Sequence, residues 1–142
     1  MSVVARRYLV RGQDLLARGD WQSALEPLRA AVDLAPACTD ARIGYAVALA
    51  QLNDCPSAAQ VLRVGLGRAL TPVATGALYA TLGDVLVRGG DFLSAEDAYR
   101  HAARIPGYMA RAASGLAKVY GRLGRFADMA AQLRVAASAP ST

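Results

Sequence analysis

The chain has 142 residues, enough for one domain, and 54% of them are hydrophobic, much of that alanine; 16 basic side chains outnumber 11 acidic ones, for a formal net charge of +5. No apolar run approaches the ~20 residues that a membrane-crossing helix needs, and the segment from Met1 to Asp14 has no apolar stretch followed by a cleavage site, so neither a membrane span nor a signal peptide is expected. The expected setting is cytoplasmic, and the two cysteines are expected as free thiols.

From Gly12 to Pro36 the sequence reads as two amphipathic helices joined by the tight turn Gly19-Asp20 and closed by Pro36. Gly12, Ala24 and Ala31 are small enough to let the rods cross closely. Tyr8, Leu15, Trp21, Leu28 and Leu34 are the expected bulky core residues. Asp20 is the expected N-cap of the second helix, accepting a backbone N–H in its first turn. Pro27 falls inside that helix, deletes the bond to the Ser23 carbonyl at a cost of about 3 kcal/mol, and predicts a bend.

Gly-Asp-Trp at 19–21 then returns as Asn53-Asp54-Cys55, Gly90-Asp91-Phe92 and Gly124-Arg125-Phe126, at spacings of 34, 37 and 34 residues. In the second unit, from Thr39 to Pro72, Ala46, Leu49, Ala58, Leu62 and Gly65 hold the small and large positions. Asn53 replaces the turn glycine and tolerates the left-handed region. Asp54 caps, and Pro56 falls in the first helical turn. Gly65 and Gly67 sit in the predicted second helix at about 1 kcal/mol each, which makes this unit the softest. Cys38 and Cys55 bracket its first helix, roughly 20 Å apart at 1.5 Å per residue, whereas a disulfide needs Cα atoms within about 7 Å.

The third unit carries three extra residues, Val73-Ala74-Thr75, and Thr71-Pro72 is a helix start, so its first helix is predicted to be longer by nearly a turn. Tyr79, Leu82, Gly83, Leu86, Ala95, Tyr99, Ala102 and Ile105 keep the pattern, and Pro106-Gly107 closes it. In the fourth unit Leu116, Ala117, Tyr120, Phe126, Leu133 and Ala136 keep it, while Met129 replaces a small crossing residue and Arg125 the capping Asp. No polar helix follows, and Ala131, Val135 and Ala137 point towards the open end. Terminal repeats need a polar outer face. Either the chain is a piece of a longer protein, or this end meets a partner or a copy of itself.

A helix–turn–helix unit with this period and these residues resembles the tetratricopeptide repeat family, across nearly the whole chain. The repeats would cover about 5–38, 39–72, 73–109 and 110–142. The resemblance implies an all-α fold, a right-handed α-solenoid of about four repeats and eight helices in a single domain, and a function of binding another protein. In this family the first helix of each repeat lines the concave face. The corresponding residues here are Leu9, Gln13 and Leu16, then Ile43 and Val47, then Asp84 and Arg88, and finally Arg111, Lys118 and Arg122. The first two repeats would offer an apolar floor and the last two a basic one, with Asp84 as the exception. The implied ligand is a peptide or amphipathic helix, apolar at one end and acidic at the other. Some members grip the C-terminal carboxylate of chaperones with Lys, Asn and Arg; Leu9 and Gly44 stand where that clamp needs Lys and Asn, so chaperone-tail binding is not expected.

Little points to catalysis. There is no glycine-rich phosphate loop, paired zinc ligands or HExxH. His101 is the single histidine, at an outward-facing place in the family pattern, and Asp14, Asp84 and Asp91 are scattered. No enzyme activity, metal or cofactor is expected. Charge is uneven: residues 1–97 hold nine Arg against ten acids, whereas residues 98–142 hold Arg100, Arg104, Arg111, Lys118, Arg122, Arg125 and Arg134 against Asp128 alone. This suggests an anionic partner near the C-terminal end, or a solvated face in an arginine-rich chain. The leading reading is an adaptor or scaffold. The alternatives are a dedicated cytosolic chaperone for a bacterial secretion substrate, and nucleic-acid binding through the basic end. The last would need stacking aromatics, and Tyr99, Tyr120 and Phe126 are assigned to the core, leaving Tyr108.

Overall fold

Eight α-helices make up the regular structure of residues 1–139, which the computed structural model describes: α1 (Val3–Ala17), α2 (Trp21–Leu34), α3 (Thr39–Gln51), α4 (Cys55–Leu66), α5 (Pro72–Arg88), α6 (Phe92–Ala103), α7 (Met109–Arg122) and α8 (Phe126–Ser138). The end of the fourth predicted repeat, Pro140-Ser141-Thr142, lies outside the described residues. The helices form two compact units, Met1–Ala69 and Leu70–Thr142. In each, successive helices pack on one another, and the first helix of one pair also touches the first helix of the next, α1 on α3 and α5 on α7.

The four turns inside the pairs share one geometry. A residue in the left-handed region ends the first helix: Gly19 (φ 73°), Asn53 (φ 66°), Gly90 (φ 84°) and Gly124 (φ 75°). The next residue donates its N–H five residues back: Asp20 to Leu15, Asp54 to Leu49 and Asp91 to Leu86 at 2.9 Å, and Arg125 to Tyr120 at 2.8 Å. This is a Schellman closure, which satisfies carbonyls that a helix end leaves open. The same residue is the N-cap of the following helix. Asp54 and Asp91 accept from the N–H of Ser57 and Ser94, each at 3.3 Å. Asp20 has the same Asp-x-x-Ser spacing but makes no such bond, contrary to the expectation. Arg125 turns instead to Asp128, with Nε 2.9 Å from Oδ2.

Small residues let one bulky side chain of a second helix wedge between two first helices. In the first unit the buried Leu28 of α2 lies against Gly12 of α1 and Gly44 of α3. In the second, the buried Tyr99 of α6 takes that place between Gly83 of α5 and Gly115 of α7. A methyl group on Gly12, Gly83 or Gly115 would collide with the wedge. Arg42, only 6% exposed, fastens the N-terminal part of α3. Its guanidinium donates to the Pro36 carbonyl at 2.8 Å and to Val61 at 3.2 Å, and burial, with Arg68 nearby, lowers its pKa from the ordinary arginine value.

Thr71 caps α5, with Oγ1 accepting from Ala74 N at 3.1 Å, and at 17 residues α5 is the longest of the described helices, as the inserted residues predicted. α2 runs through Pro27, which is buried. Both cysteines are free. Six residues depart from expectation. Tyr8 is exposed because α1 turns Ala5 and Gly12, not Tyr8, fully inward. Leu34 is exposed at the last residue of α2. Phe126 and Leu133 are exposed because α8 packs only on α7 among the described helices and has no fully buried residue. Tyr108 is not free: it is half-buried, with its ring over Gly76. Gly67, placed inside a helix by the sequence, is the C-cap of α4.

Gly67 has helical angles (φ −70°, ψ −15°), and a Cβ there would meet nothing closer than the Val64 carbonyl at 3.5 Å. Gly67→Ala is therefore expected to stabilise the chain by about 0.4–1 kcal/mol in urea unfolding, through the entropy of the unfolded state. Gly115→Ala forces the Tyr99 ring to move and is expected to cost about 1–3 kcal/mol in the same measurement.

Candidate functional site

The first helices of the pairs carry the residues singled out by the sequence. In the first unit, α1 supplies Leu9, Gln13 and Leu16, and α3 supplies Ile43 and Val47. Gln13 is exposed, and the four aliphatic side chains are half-buried. Leu9 and Leu16 pack against the buried cluster of Ala24, Leu28 and Ala48, so part of their surface belongs to the core. Ile43 and Val47 occupy the alternating half-buried places along α3, between buried Arg42, Gly44, Ala46 and Ala48. That alternation follows from the position of α3, which has α1, α2 and α4 packed around it.

In the second unit α5 carries Asp84 and Arg88, and α7 carries Arg111, Lys118 and Arg122, all five exposed. The three α7 residues lie seven and four apart, one row along the helix. Asp84, the acidic exception, is doubly engaged. Arg111 pairs with its Oδ2 at 2.9 Å, and the Tyr99 hydroxyl donates to its Oδ1. Its carboxylate is thus held by a cation on α7 and a phenol on α6. Burial, and then the hydrogen bond to the Asp84 carboxylate, push the Tyr99 pKa well above the ordinary tyrosine range. The Arg122 guanidinium lies 5.3 Å from the centre of the Phe92 ring, a cation–π contact. Lys118 has no ion-pair partner among the described residues.

Other members of the basic C-terminal set are tied into the fold. Arg125 stacks over the Tyr120 ring at 4.5 Å and pairs with Glu96 at 3.2 Å as well as with Asp128. Arg100 pairs with the same Glu96 at 3.5 Å and donates to the Tyr120 hydroxyl at 3.2 Å, and that bond raises its pKa. His101 stacks on Tyr79, centroids 4.6 Å apart, with Asp97 at 3.7 Å. Among the described residues no three His, Cys, Asp or Glu side chains converge as metal ligands would. No helix among them is long and apolar enough to cross a membrane.

Sequence reasoning missed the Tyr99–Asp84–Arg111 chain and the Arg42 staple. The first has a legible trace, since Tyr99 follows Asp84 by 15 residues and Arg111 follows Tyr99 by 12, but joining them requires the packing of three helices. The second has none, because both acceptors of Arg42 are backbone carbonyls.

The tetratricopeptide repeat profile matches residues 9–72. Among solved structures the fold is similar to "Crystal structure of MamA", with 21% identity and a TM-score of 0.78 over 93% of this chain and 75% of that one. It is also similar to "Crystal structure of MamA protein", with 22% identity and a TM-score of 0.76 over 93% and 70% of the two chains. A third, "MamA MSR-1 C2", has 18% identity and a TM-score of 0.72 over 93% and 74%. At such identities the likeness is one of fold, that of a helical solenoid. No curated protein matches the sequence.

The Tyr99 contact makes a pH prediction. Tyr99 holds its proton more tightly in the folded chain than a free tyrosine does, so the folded state binds more protons above the unfolded pKa of about 10. Its contribution is complete below that pH and is lost as pH rises through it and beyond. Urea unfolding at a series of pH values should show stability falling from about pH 10 upward, with a shallower fall in Tyr99→Phe.

Proposed function

We propose that this chain, which belongs to the tetratricopeptide repeat family, is a non-catalytic interaction scaffold that binds a peptide or amphipathic helix of another protein on the faces of α1 with α3 and of α5 with α7. The observation that carries the reading is the charge left on the second face. Asp84 is paired with Arg111 and hydrogen-bonded by Tyr99, while Lys118 and Arg122 stay exposed on the same row of α7. A carboxylate brought by a ligand would meet an uncompensated positive field there. On the first face, Ile43 and Val47 keep aliphatic surface in water that a ligand's apolar side chains would cover, at about 25 cal/mol per Å². The ligand is thus one with apolar side chains for α1 and α3 and acidic ones for α5 and α7.

Affinity capture with mass spectrometry identifies the partner, and two substitutions then test the surfaces. Ile43→Asp is expected to weaken binding by tenfold or more, about 1.4 kcal/mol, while leaving the helical circular-dichroism signal intact. Arg122→Glu is expected to slow association and flatten its salt dependence. If both variants bind as the wild type does, these faces are not the site. If Ile43→Asp unfolds the chain, Ile43 belongs to the core.

The proposal includes self-association through α8. Phe126 is 64% exposed and Leu133 51%, Ala137 is exposed, and Ala131 and Val135 are half-covered. Light scattering is expected to detect a dimer that disappears when a polar helix is appended after α8. A dimer that survives the cap would place the contact elsewhere.

A further inference from the structure

α1 has a second face. Ala5, Leu9, Gly12, Leu15 and Leu16 are its buried and half-buried residues. Away from them, Val3, Arg7, Val10 and Asp14 follow one another at steps of four, three and four, which is one stripe of a helix, and Arg6 and Arg11 flank it. Val3 is 69% exposed and Val10 51%. With Met1 these side chains line a depression of about 600 Å³. Arg6, Arg7 and Arg11 make no ion pair among the described residues, so three guanidinium groups surround aliphatic surface with Asp14 as the single acid beside them.

We propose that this face of α1 docks an acidic amphipathic helix from a partner protein, as a contact separate from the α1–α3 and α5–α7 faces. Two valines seven residues apart match the heptad spacing of a facing helix. The arginines lie where the partner's flanking Asp and Glu would fall, and each guanidinium can hold a carboxylate with two parallel hydrogen bonds. Asp14 marks the end at which the partner carries a base, and so gives the pair a direction. Other occupants fit less well. A bilayer is flat on this scale and would leave the depression empty. Nucleic acid has no use for the valines, and no aromatic lines the depression to stack a base. A second copy of this face would bring three arginines against three, with one aspartate from each side.

The test selects helical peptides from a library randomised on one face against the full chain. The selected sequences are expected to carry aliphatic residues seven apart flanked by Asp and Glu. Their affinity should fall about tenfold or more in Val10→Asp and in the joint change Arg7→Glu with Arg11→Glu. Ile43→Asp should leave it unchanged, which keeps this surface separable from the first. Replacing the selected acids with Lys should restore binding to the doubly reversed variant. The proposal is overturned if the selected peptides show no acidic enrichment or bind these variants as they bind the wild type. It is also overturned if the dependence on Arg7, Arg11 and Val10 appears instead with phosphatidylserine vesicles, with duplex DNA, or in a dimer seen by light scattering.

Discussion

The structure depends on one shared residue at each turn. Asp20, Asp54, Asp91 and Arg125 each close the helix behind them with an N–H bond five residues back, and each begins the helix ahead. Because the ending and the beginning are the same residue, the second helix has almost no freedom in where it sets out. The residue before it must adopt a positive φ, which glycine does at little cost and asparagine at modest cost. That requirement is why Asn53 is the chain's single non-glycine residue with positive φ among the described residues. Once the turn is fixed, the wedge follows: Leu28 and Tyr99 are delivered to the glycine-lined slots between first helices.

How much was legible in the sequence follows from which interactions are local. The turns, the Thr71 cap, the lengthened α5 and the close glycines are written within a few residues of one another, and the recurrence of Gly-Asp-aromatic exposes them. Burial at the ends was not legible. Leu133 occupies the same pattern position as the buried Leu28, Leu62 and Tyr99, but a pattern does not say which helices pack on α8. The Asp20 cap failed for a related reason: the spacing to Ser23 permits the bond and does not enforce it. At the candidate faces, the sequence identified exposed charges on α5 and α7 but not that Asp84 was already taken. What looked like an acidic break in a basic surface is a residue whose charge the fold has consumed.

The two units solve one packing problem with different chemistry. In the first, an aliphatic wedge packs among Leu9, Leu15 and Leu16 and needs no polar partner. In the second, a tyrosine fills the slot, and its hydroxyl must find a partner when its ring is buried. Asp84 is that partner, and the carboxylate in turn draws Arg111 to the outer row of α7. A core choice has thereby altered a surface: the polar character of α5 and α7 is partly a by-product of using Tyr99 where the other unit uses Leu28. Stability and recognition are coupled through that side chain, since any change to the wedge disturbs the charge of the face as well.

The lengthened α5 has a consequence for how such a chain can change its length. A residue inserted into a turn inside a pair would separate the end of one helix from the start of the next, break the five-back bond and rotate everything downstream. The three additional residues Val73-Ala74-Thr75 lie instead in the first turns of α5, after Thr71, where added chain is absorbed as helix capped at its own start. Added residues are therefore accommodated at the start of a first helix rather than in a turn inside a pair. A lineage of such chains would drift in the reach of its first helices while the turns inside its pairs stayed fixed in length.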